Sequence, residues 1–144
     1  MITVYKKYLI KKFLKKIINV SLVFLSLIII LNTLDEISFF KDLQVDFWLP
    51  LILTFSNSPS VLFEIFPFIF LISSLLFFLD LINDNELEVF KINGLDNLKI
   101  IKILFFTSMI VGLFLITIYY SFSSKLKFVY LELKNNYTTD GKYL

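Results

Sequence analysis

Three uncharged apolar stretches constrain this chain more than any other feature of its sequence. They cover residues 17–34, 65–79 and 103–124. Because an α-helix rises about 1.5 Å per residue, stretches of this length approach or match the roughly 30 Å hydrocarbon thickness of a bilayer. In addition, 58% of the 144 residues are hydrophobic and 18 are Phe, more than a soluble domain of this size could bury. The chain is therefore predicted to be an all-α membrane protein.

The residue types that are missing exclude several kinds of chemistry. The chain has no cysteine and no histidine, and all 14 of its basic residues are lysine. Disulfides, thiol nucleophiles and imidazole bases or metal ligands are therefore excluded. The apolar stretches also carry no pair of carboxylates that could act as acid and base. We expect no enzymatic activity, no cofactor, no metal site and no nucleic-acid partner.

The first apolar stretch follows a lysine-rich segment, in which residues 6–16 contain six lysines. Two sets of residues recur there at every fourth position, the basic set Lys7, Lys11 and Lys15 and the apolar set Tyr5, Leu9 and Phe13. At the period of a helix this pattern gives one basic and one apolar face. Two alternatives remain open: an amphipathic helix over residues 3–16 that lies on an anionic membrane surface, or a plain positively charged anchor.

The distribution of lysines predicts the orientation of the chain. We expect membrane spans at about residues 17–34, 61–82 and 101–124. Nine lysines then precede the first span or lie between the second span and the first turn of the third, against five elsewhere. Because lysines favour the cytoplasmic side, the N-terminus is predicted to be cytoplasmic and the C-terminus periplasmic.

The loop between the second and third spans has the signals of a short helix at about residues 84–94. Asn83 or Asp84 can cap its start, and Gly94 suits the left-handed residue that ends it. Glu86 follows Asn83 by three residues, which is also the spacing of a capping box, so a purely structural role for this carboxylate is an alternative. Leu87 and Phe90 supply apolar side chains on one side of the helix.

Several short motifs in this order resemble those of the LptF/LptG permeases of the lipopolysaccharide export system. The motifs are Tyr5-Lys-Lys-Tyr8-Leu9, Pro59 followed by Glu64 and Pro67, Leu81, Glu86-Leu87 and Gly94-Leu95. The resemblance implies three transmembrane helices with a short cytoplasmic coupling helix between the second and third. It also implies a multi-pass protein of the bacterial inner membrane.

The function implied by the resemblance is that of a transmembrane subunit of an ABC-type exporter. Such a subunit moves lipopolysaccharide from the inner membrane toward the outer membrane, paired with a second permease subunit of the family and driven by a cytoplasmic ABC ATPase dimer. The coupling helix docks on that ATPase, with Glu86 matching the acidic coupling residue of the family and Gly94 its glycine. The helical geometry of this segment suggests Leu87 and Phe90 as apolar contacts with the ATPase, in addition to the two residues that match the family. The alternative is a small three-span interaction or assembly protein with no transport role, embedded among membrane lipids.

The chain also departs from the family pattern. Family members have six spans and an exported jelly-roll domain after the third, so this chain is expected to represent only the N-terminal part. After the first span the chain carries Asp35 and Glu36, whose carboxylates would repel lipid phosphates, and Lys41 is the one weak candidate for substrate binding there. Residues 125–144 are polar, and are expected either to begin the exported domain as a strand or to be disordered.

Overall fold

The computed structural model describes residues 2–43 and 45–138, and all regular secondary structure within these ranges is helical. The elements in chain order are α1 (Ile2–Phe39), α2 (Trp48–Glu64), α3 (Phe66–Asn83), α4 (Glu86–Ile92), α5 (Asn97–Phe114), a π-helical turn (Leu115–Tyr119) and α6 (Tyr120–Asn135). The predicted all-α fold class is confirmed.

Three helical stretches are long and apolar enough to cross a membrane. They cover Val4–Phe39, Phe66–Asn83 and Asn97–Asn135. Large apolar side chains lie exposed along them, among them Leu27, Leu31, Leu71, Leu75, Phe105, Phe106, Met109 and Ile110. In water such surfaces would drive aggregation, whereas in a bilayer they contact lipid chains. The prediction of three transmembrane helices is confirmed.

The helix boundaries differ in detail from those that the sequence suggests. Helix α1 runs without a break through residues 3–16 and 17–34. Residues 61–82 lie partly in α2 and partly in α3, because the helix is interrupted at Ile65. Pro67 explains this interruption, since proline lacks an N–H group and its ring clashes with the carbonyl group four residues earlier. The prediction for residues 125–135 is wrong, because they continue α6 as a helix and are neither a strand nor disordered.

The chain divides into two compact units. The first contains the described residues up to Ser21 together with Pro67–Phe114. Its core includes Leu9 and Phe13, and the Phe13 ring packs edge to face against Phe70 and Phe77, with ring centroids 5.8 and 5.3 Å apart. The apolar face that the sequence predicts near the N-terminus is therefore packed against helix α3 of the same chain at Phe13.

The second unit contains Leu22–Phe66 and the described residues from Leu115 onward. Its core is built around Phe40, Leu53 and Tyr130. Helix α2 buries small polar residues, Thr54, Ser56, Ser58 and Ser60. Small side chains allow close approach between helices in lipid, and the hydroxyl groups of Ser56 and Ser58 donate hydrogen bonds to carbonyl groups four residues earlier.

Candidate functional site

Helix α4 forms a short segment between α3 and α5, and its two ends have distinct backbone geometry. Asn85 precedes it with a φ of 56°, in the left-handed region that asparagine tolerates better than most residues. Gly94 follows it with a φ of 80°. The sequence predicts a left-handed glycine at this position, and the structure agrees.

Gly94 completes a Schellman motif at the end of α4. The Gly94 N–H donates to the carbonyl oxygen of Lys91 at 3.0 Å, and the Leu95 N–H donates to that of Phe90 at 2.9 Å. These are the two bonds of the motif, and the buried Leu95 side chain lies just after them. The chain can therefore turn sharply from α4 into α5 without leaving these carbonyl groups unpaired.

We expect Gly94→Ala to destabilise the protein by about 1 to 2 kcal/mol, because a Cβ atom is disfavoured in the left-handed conformation. Space is not the cause, since nothing lies within 4 Å of a Cβ atom built at this position. Gly112→Ala is the matched control, as its site is equally open but its backbone is helical, and we expect no loss of stability there. Unfolding by SDS in bicelles measures both variants, and equal effects would contradict the conformational explanation.

The Glu86 carboxylate binds the N-terminal part of α1. Its Oε1 atom accepts a hydrogen bond from the Tyr8 hydroxyl at 2.6 Å and from the Lys12 ammonium at 2.8 Å. Lys12 also contacts Asp84 Oδ2 at 3.1 Å. Since the side chains of Lys12 and Glu86 are 18% and 23% exposed, this ion pair is shielded from most solvent. The start of α4 is therefore attached to α1 by charge-assisted hydrogen bonds.

A second ion pair lies one turn further along α1 and joins this helix to α3. Lys16 pairs with Asp80 near the end of α3. Tyr8, Lys12 and Lys16 are spaced by four on α1, and Asp80 and Asp84 are spaced by four at the other side of the contact. Residues four apart lie on one helical face, so two complementary stripes meet. The sequence reasoning missed this match, although the four-residue spacing of both stripes was a usable signal.

The capping-box alternative for Glu86 is wrong. The residue before the helix is Asn85 rather than Asn83, and no side chain caps α4. The Glu86 carboxylate instead binds side chains 78 and 74 residues earlier in the chain. Its Oε2 atom is buried and finds no hydrogen-bond partner among the described residues.

The two apolar residues singled out on α4 are only partly exposed. Leu87 and Phe90 are both half-buried. The Phe90 ring lies 6.5 Å from that of Tyr8, so it supports the attachment to α1. The apolar side chains that α4 exposes more fully are Val89, at 54%, and Ile92, at 85%. Helix α4 is therefore attached to α1 while Val89 and Ile92 remain exposed.

Three charged residues that the sequence places after the first span, Asp35, Glu36 and Lys41, differ in their contacts and burial. Lys41 is exposed in a turn and forms no ion pair within the part of the chain that the structure describes. Glu36 is buried, and its Oε1 atom accepts hydrogen bonds from the Tyr130 hydroxyl at 2.8 Å and from Lys134 at 2.9 Å. The expected repulsion of lipid phosphates by Glu36 is therefore wrong, because its charge is neutralised inside the second unit. Asp35 remains exposed.

Glu64 also has a partner that the sequence does not suggest. Its Oε1 atom lies 3.0 Å from the Lys127 ammonium, and both side chains are substantially exposed. Nearby, the Tyr119 hydroxyl donates to the carbonyl oxygen of Pro59 at 3.0 Å. These contacts join α2 to the π-helical turn and to α6.

Comparison with known proteins identifies the family of this chain. Residues 7–144 match the model of the family described as lipopolysaccharide export system permease LptF/LptG. The comparisons with curated proteins and with solved structures gave no significant match.

Proposed function

Because the chain belongs to the LptF/LptG family of lipopolysaccharide export permeases, we propose that it is a transmembrane subunit of an ABC-type exporter in which α4 is the coupling helix. The family membership and the three apolar helices support a multi-pass protein of the inner membrane that is a component of a transporter. The proposed partners are a second permease subunit of the same family and a cytoplasmic ABC ATPase dimer. The proposed direction of transport is from the inner membrane toward the outer membrane.

The proposed orientation places the N-terminus and α4 in the cytoplasm. Lys6, Lys7 and Lys11 lie exposed at the start of α1, and the exposed lysines Lys91, Lys99 and Lys102 lie in or near the loop that holds α4. Since lysines accumulate on the cytoplasmic side of membrane proteins, both groups favour the same side. An ATPase in the cytoplasm would then meet α4.

One observation carries the proposal: α4 is bonded to a membrane-spanning helix and still exposes two apolar side chains. Glu86 attaches its start to Tyr8 and Lys12 of α1. Val89 and Ile92 remain open for a partner. A partner that moves α4 would therefore also move α1, as in rigid-body switching of packed elements. The proposed docking contact is Ile92, with Val89 beside it, whereas the proposed role of Glu86, Leu87, Phe90 and Gly94 is to hold α4 in place.

Site-specific crosslinking tests the proposed docking. We expect a photoreactive residue at Ile92 to capture the lipopolysaccharide-export ATPase of the same organism in intact cells. The matched control is Phe128, an exposed apolar residue on α6, which we expect to capture no ATPase. A small three-span assembly protein without a transport role would give no ATPase adduct from either position. That result, or equal adducts from both positions, would refute the docking of α4.

A further inference from the structure

A groove in the first unit combines apolar walls with three lysines. It has a volume of about 1030 Å³ and is lined by residues of α1, α4 and α5 and of the turn between α4 and α5. Lys6, Lys99 and Lys102 line it together with Ile103, Phe106 and Ile110. An apolar groove lined by three cations is matched by a ligand that is itself both apolar and anionic.

On the α5 wall of the groove, Lys99 and Lys102 lie in the first two turns of the helix, and the apolar lining residues Ile103, Phe106 and Ile110 follow them. From Lys99 to Ile110 the helix advances eleven residues, which is about 16 Å at 1.5 Å per residue. Half of a hydrocarbon core of roughly 30 Å is about 15 Å. The groove therefore extends for about the length of one leaflet from the charged end of the span.

The lysines leave charge available for such a ligand. Lys99 donates to the carbonyl oxygen of Gly94 at 3.0 Å, which holds its ammonium group beside the end of α4. Lys6 and Lys102 form no hydrogen bond or ion pair with residues 2–43 or 45–138. An uncharged helix seated here would place these ammonium groups against apolar surface without a counterion, which is costly. A phosphate group at the same place would pair with them.

We propose that this groove binds one phospholipid with an anionic headgroup, its phosphate at Lys6, Lys99 and Lys102 and an acyl chain along Ile103, Phe106 and Ile110. The lipid is a resident of the leaflet that faces α4 and packs beside the helix proposed to meet the ATPase. This inference does not depend on transport, because it concerns how this chain sits in its own membrane.

Lipid selectivity of the purified full chain tests the proposal. The chain is reconstituted in phosphatidylcholine vesicles that contain a minor fraction of spin-labelled phosphatidylglycerol, and the preference for phosphatidylglycerol over phosphatidylcholine is measured from the motionally restricted signal. We expect Lys6→Gln and Lys102→Gln each to lower this preference by up to about fivefold, since an exposed ion pair with the phosphate contributes up to about a factor of five in binding. Lys102→Arg is expected to retain it.

Lys11→Gln is the matched control. Lys11 is exposed on the same lysine-rich part of α1 but does not line the groove. We expect its replacement to leave the preference unchanged. An equal loss in Lys11→Gln would show diffuse attraction to the membrane surface and would overturn the groove as a site, as would a wild-type chain without preference for phosphatidylglycerol.

A photoreactive residue at Ile110 identifies the occupant directly. In native membranes we expect it to capture phospholipid, and capture of a polypeptide segment instead would overturn the proposal. Neither readout depends on the ATPase, because one measures lipid preference and the other the lipid captured at Ile110. Failure here therefore leaves the docking of α4 untouched, and failure of the docking test leaves the lipid site untouched.

Discussion

Replacing Glu36 with glutamine is expected to lower the free energy of unfolding by about 3 to 5 kcal/mol. The Glu36 carboxylate and the Lys134 ammonium lie 2.9 Å apart with side chains only 4% and 10% exposed. Lys134 also lies 4.5 Å above the Phe39 ring. Removing the carboxylate charge would take away the counterion that lies 2.9 Å from this buried cation, and breaking a buried pair costs far more than the intact pair contributes.

Asp35→Asn is the matched control, because this neighbouring carboxylate is exposed and forms no ion pair with the residues that the structure describes. We expect it to change stability by less than about 0.5 kcal/mol. The double variant Glu36→Leu with Lys134→Met is expected to recover most of the loss, since both charges are then absent. SDS unfolding in bicelles measures all three. Equal effects of Glu36→Gln and Asp35→Asn would contradict the buried pair.

Replacing Glu86 with glutamine is expected to reduce ATPase co-purification and lipopolysaccharide export by roughly ten- to a hundred-fold. This range corresponds to losing a charged hydrogen bond of about 1.5 to 3 kcal/mol. Because Glu86 binds Lys12 at 2.8 Å, its charge fixes the position of α4 on α1. The same argument predicts a comparable loss for Lys12→Gln, although Lys12 lies on another helix.

Glu88→Gln distinguishes this positioning role from a general need for negative charge on α4. Glu88 is exposed two residues further along and has no ion pair within the described ranges, so we expect co-purification and export to remain normal. If Lys12→Gln docks normally while Glu86→Gln does not, Glu86 contacts the ATPase directly and the positioning role is wrong. If both variants dock and export normally, the coupling proposal itself is wrong.

The membrane architecture could be predicted because it depends on local properties of the chain. The length and lack of charge of residues 17–34 and 103–124 suffice to identify membrane helices, since every backbone group must be paired within the helix in lipid. The end of α4 was predictable for a similar reason. Gly94 adopts a conformation that few other residues tolerate, and its neighbours in the sequence already have helical propensity.

The pairing of the charged residues could not be predicted in the same way. Lys12 and Glu86 are 74 residues apart, and Glu36 and Lys134 are 98 residues apart. The chain has 14 lysines and 12 acidic residues, so composition and spacing allow many pairings. The continuation of α6 through polar residues 125–135 was missed for a related reason, because Tyr130 and Lys134 are held there by contacts with Glu36.

The sequence by itself determined that this chain forms three membrane-spanning helices. It also determined that a short helix, which ends in a turn at Gly94, lies between the last two. These features follow from the hydrophobicity and backbone preferences of neighbouring residues. Only the tertiary structure decided that Glu86 holds α4 to α1 and that Glu36 is neutralised by Lys134. Those outcomes depend on which helical faces meet, and the meeting of faces is determined by packing across distant parts of the chain.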